Sequence, residues 1–79
     1  MTTKKLEEII MQPSHIKVYN FVVAYIKKHI VSPEINEIAK GIKYEERQVH
    51  RLVADLCSLG YISKKRYYPR SIKIEKELR

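Results

Sequence analysis

The chain has 79 residues, a formal charge of +7 and one cysteine, Cys57. That length holds one domain with a small core, and a single cysteine excludes an internal disulfide and a cysteine-based zinc site. The longest apolar run, "FVVAYI" at 21–26, is far too short to span a bilayer, and no signal peptide is visible, so a cytoplasmic protein without a membrane partner is expected (nucleoid-associated if bacterial or archaeal).

In chain order, "TTKKLEEIIMQ" places Leu6, Ile9 and Ile10 at i, i+3, i+4, the spacing of a short amphipathic helix or a tail that ends before Pro13. "SHIKVYNFVVAYIKKHI" is the strongest helix. Val18, Phe21, Val22, Tyr25 and Ile26 form one apolar stripe, Ser14 is the expected N-cap, and Lys27, Lys28 and His29 suit the negative end of the helix dipole. "VSPEINEIAKGI" predicts a second helix capped by Ser32, with Pro33 at its first position and Ile35, Ile38, Ala39 and Ile42 on one face. Gly41 weakens it by about 1 kcal/mol relative to alanine. After a very short connector, "EERQVHRLVADLCSLG" carries a third stripe, Val49, Leu52, Val53, Leu56 and Leu59, with Gly60 as a left-handed stop and Cys57 as a small buried hydrophobe beside the stripe.

Beyond Gly60 the period changes to two. Residues 61–66 and 71–74 read as strands, with Ile72 and Ile74 on one face and "YYPR" as the turn between them. The fold expected is α+β and mainly α: a winged helix-turn-helix, with a three-helix core, a two-stranded hairpin wing and a short extra N-terminal helix. Its divisions are 1–12, an N-terminal segment; 13–75, the winged-helix domain; and 76–79, a tail.

The charge is concentrated in the wing. Residues 60–74 hold Lys64, Lys65, Arg66, Arg70 and Lys73 and no acid, while the other 64 residues carry 11 cations against 9 acids. A local basic patch calls for a polyanion, nucleic acid before membrane; the competing reading is a solvated surface that serves solubility.

From "VYNFV", "PEINEIA", "VHRLVADLCSLGYI" and the wing ending "PRSIKI", the stretch 13–74 resembles the N-terminal DNA-binding domain of LexA-type repressors. The resemblance implies a double-stranded DNA-binding transcriptional regulator, repressor-like, with the third helix (about 46–59) in the major groove and the wing (63–73) on the backbone and minor groove. Three features depart from the family. The chain stops at Arg79, so no Ser-Lys peptidase activity is expected; Lys43 stands where such turns often have Gly; and Glu45 and Glu46 open the third helix, where small polar residues are usual.

On the third helix the face opposite the stripe holds Arg47, His50, Arg51 and Ala54, with Gln48 at the flank. Arginine reads guanine bidentately and glutamine reads adenine. Glu45 caps the helix or accepts from a cytosine amino group. The bland alternative is a solvated face with Arg51–Asp55 and Glu46–His50 pairs at i, i+4. In the wing, Lys64, Lys65 and Arg66 meet phosphates, Tyr67 and Tyr68 donate hydroxyls, and Arg70 at the tip enters the minor groove. Tyr61 and Ile62 belong to the core, and Tyr19, Tyr25 and Tyr44 to packing. His15, His29 and His50 lack metal-ligand spacing and no Gly-rich phosphate loop exists, so neither an enzyme nor a cofactor is expected. One domain reads few base pairs, which calls for a homodimer through residues 4–11, with Leu6, Ile9 and Ile10 as its apolar strip. A winged-helix module that binds protein, or an RNA-binding module using the hairpin, are the competing functions.

Overall fold

The computed structural model describes residues 11–66 and 68–77. The expectations for Leu6, Ile9, Ile10 and Tyr67 lie outside these residues. Three helices are followed by a two-stranded antiparallel hairpin: α1 (Pro13–His29), α2 (Ile35–Ile42), α3 (Glu46–Ser58), β1 (Ile62–Ser63) and β2 (Lys73–Ile74). Ile62 pairs with Ile74 and Ser63 with Lys73.

The apolar stripes meet in one core. Val18 and Val22 of α1, Ile38 of α2, and Val49, Val53 and Leu56 of α3 are buried, and Ile62 and Ile72 close the hairpin over them. Each such aliphatic contributes about 1.5–3 kcal/mol on burial. Tyr61 packs half-buried against this cluster, its ring edge-on to Tyr19 at 6.3 Å. Cys57 is half-buried beside the stripe, and burial pushes its thiol up, over an opposing pull from Lys64, so sulfur stays protonated.

Helix starts differ from the expected ones. Ser14 lies inside α1, because Pro13 takes the first helical position and Gln12 is the N-cap. Ser32 and Pro33 precede α2, whose N-cap is Glu34; the Glu34 N–H donates to Glu37 Oε1 at 2.8 Å. Ser32 is instead buried, with its Oγ accepting from Ile72 N–H at 3.2 Å. A contact 40 residues away has taken the hydroxyl that the local pattern assigns to a cap.

Helix ends carry strain. Gly60 ends the third helical segment at φ 85°, as its lack of a Cβ permits. Ile30 and Lys43 also sit in the left-handed region, both at φ 63°, and close α1 and α2 where glycine is usual. Each costs about 1 kcal/mol relative to an unstrained cap. Gly41 has a packing role: a Cβ there would overlap the Phe21 ring, so α1 and α2 approach through its bare backbone.

The strands are two residues each, shorter than the alternation suggests. The loop between them is folded on Ser71, whose Oγ accepts from Lys65 N–H at 2.9 Å and lies 3.0 Å from Lys65 O and 2.7 Å from Tyr68 O. A side chain thus replaces the next rungs of the ladder. Order continues past residue 75, because Glu75 and Lys76 N–H both donate to Tyr61 O and the Tyr19 hydroxyl donates to Lys76 O at 2.8 Å.

Candidate nucleic-acid interface

Helix α3 has two unlike sides. Val49, Leu52, Val53 and Leu56 are buried, while Arg47, Gln48, His50, Arg51 and Ala54 are all exposed. The 3.6-residue period brings Arg47, His50, Arg51 and Ala54 together on the outward face. Glu45 is the N-cap residue, but its side chain makes no capping bond. Tyr44, before it, is half-buried against the core, with the Lys17 ammonium 5.8 Å from its ring.

The i, i+4 pairs of the alternative reading do not form. Asp55 turns inward, its Oδ2 2.9 Å from Nε2 of buried His15. The Gln12 N–H donates to His15 Nδ1 at 3.0 Å, so the ring proton sits on Nε2 and donates to Asp55. A neutral imidazole therefore links the start of α1 to α3. Arg47, His50 and Arg51 make no ion pair with another described residue. His15 falls three residues before Val18 on the α1 stripe; that register was the sequence signal for its burial.

In the wing, Lys64, Lys65, Arg66, Tyr68 and Lys73 are exposed. Tyr68 is 63% exposed, with the Lys65 ammonium 5.8 Å from its ring. Arg70 is placed differently from the expected minor-groove tip. Its guanidinium points back to the helices, donating from Nη1 to Glu37 Oε1 at 3.0 Å and from Nη2 to Glu37 Oε2 at 2.9 Å. Nη1 also reaches Ser32 O at 3.0 Å, with Tyr25 Oη at 3.4 Å, and Nη2 lies 3.4 Å from Glu34 Oε2. The Glu37 carboxylate, and then the Tyr25 hydroxyl, raise the Arg70 pKa further. Tyr25 packs on His29 and Phe21, with ring centroids 4.2 and 6.0 Å away.

An open groove of about 910 Å³ lies between the end of α1 and the wing, lined by Ile26, Ile30 and Val31 and by wing residues that include Lys64, Lys65, Tyr68 and Lys73. Ile30 is 86% exposed on its rim. Among the described residues, no helix is long and apolar enough to cross a membrane, and no three His, Cys, Asp or Glu side chains converge as a metal site would require. No protein-family model and no curated protein matches the chain.

Proposed function

We propose that the chain is a winged helix-turn-helix protein that binds double-stranded DNA in a sequence-specific way, as a small non-catalytic transcriptional regulator of the repressor type. The observation that carries this reading is the outward face of α3, where Arg47, His50 and Arg51 stand exposed around the small Ala54; Asp55 is held by His15, and Glu46 stands exposed in the first turn. A helix entering the major groove needs long donors and no bulk between them. Arg47 and Gln48 read base edges, and Arg51 and His50 flank them. Lys64, Lys65, Arg66 and Lys73 with Tyr68 lie along the phosphates. Two copies on adjacent half-sites, joined through residues 4–11, supply the second half of the operator.

The test separates reading from holding. Arg47→Ala is expected to cost about 1–3 kcal/mol on a site selected from a random duplex pool and little on random DNA. Lys65→Ala weakens both alike. Equal losses on both DNAs for Arg47→Ala would remove α3 as the reader.

A second reading, a protein-binding module, draws on the groove between α1 and the wing and the exposure of Ile30 on its rim. It predicts no shift of duplex DNA even at low salt.

A further inference from the structure

We infer that Arg70 positions the wing and is not one of its DNA contacts, an inference whose functional side rests on the DNA-binding reading above. The sequence puts five cations in the wing, and the expectation for Arg70 is a minor-groove contact at the tip. The structure separates one of them. Arg70 holds both oxygens of Glu37 at 3.0 and 2.9 Å and the Ser32 carbonyl at 3.0 Å, with Glu34 Oε2 at 3.4 Å.

Three physical points follow. Glu37 is oriented before Arg70 arrives, because its Oε1 accepts the Glu34 N–H at the start of α2. The fork of the guanidinium therefore docks on a fixed carboxylate, with a geometry that lysine cannot copy. Two residues on, Ile72 N–H donates to Ser32 Oγ, so the Ser32 carbonyl and hydroxyl grip the returning side of the wing at alternate residues. Finally, one guanidinium beside Glu34 and Glu37 makes a locally anionic cluster, which repels a phosphate. The wing then meets DNA through Lys64, Lys65, Arg66 and Lys73, and its angle to α2 is set by Arg70.

Arg70→Lys tests this, since it keeps the charge and removes the fork. Without DNA, amide exchange at Ile72 and Glu75 should speed up about tenfold or more while α1 and α3 amides keep their rates. With DNA, binding should weaken about as much as in Arg70→Ala. A phosphate-contacting arginine predicts the opposite: Arg70→Lys close to wild type and unchanged exchange. Unchanged exchange at Ile72 and Glu75 in both Arg70→Lys and Arg70→Ala overturns the inference. If wild-type protein binds no duplex at low salt, the DNA-binding reading fails, yet the exchange experiment still decides whether Arg70 holds the wing.

Discussion

His15 shows what a single side chain does here that a pattern of residue types does not announce. It satisfies the Gln12 N–H at the start of α1 and keeps Asp55 away from Arg51. His15→Ala leaves the Asp55 carboxylate without its donor and the Gln12 N–H without its acceptor. The expected loss is about 1–3 kcal/mol in urea unfolding, toward the lower end because Asp55 retains some access to water. A loss below about 0.5 kcal/mol would mean that solvent replaces the imidazole without penalty. The burial of His15 was not among the expectations, although the residue falls three residues before Val18 of the α1 stripe. Its partner was not legible, because Asp55 lies 40 residues away and the local i, i+4 rule assigns that acid to Arg51. Arg70 escaped for the same reason: its acceptors Ser32 and Glu37 are 38 and 33 residues distant.

Among the elements, the three helices were legible because each buries a stripe with the helical period, and the positions named from those stripes include the buried Val18, Val22, Ile38, Val49, Val53 and Leu56. Caps and strand lengths were less so. Ser32 has the composition of a cap but is drawn to Ile72, and the Ser71 hydroxyl ends the ladder early. Gly41 is the sharpest case. Helix propensity alone makes Gly41→Ala stabilising by about 1 kcal/mol. The Phe21 ring fills the space of the new methyl, so the substitution must instead separate α1 from α2 or turn a ring packed beside Tyr25. We expect destabilisation of about 1–2 kcal/mol by thermal or urea unfolding. A stabilised Gly41→Ala variant would show that this close approach is not maintained in solution.

The whole molecule joins a hydrophobic body to a basic hairpin, and the joint has a pH dependence of its own. The Arg70 guanidinium, and then the Glu34 N–H, hold the Glu37 carboxyl down to about 2, from an ordinary value of 4.5. Glu34 and Tyr25 are the other titratable groups at this contact. Because the folded value is the lower one, the stabilisation is fully present above about 4.5 and is lost as the pH falls toward 2. Amide chemical shifts of Ile72 and Lys73 should therefore hold steady from neutral pH to about 4.5 and move below it; a wing midpoint at 4.5 itself would mean that Arg70 and Glu37 do not pair in solution. Fold class was legible at this scale from the change of period after Gly60, whereas the direction of the wing depends on contacts between distant residues. The DNA-binding proposal rests on the outward face of α3, with the wing cations Lys64, Lys65, Arg66 and Lys73 beside it as phosphate contacts. It is tested most directly by measuring affinity for a long random duplex as a function of salt. About four to six phosphate contacts from the wing and α3 predict a log–log slope between about −3 and −6 per domain. A flat slope, or no binding at low salt, would contradict DNA binding.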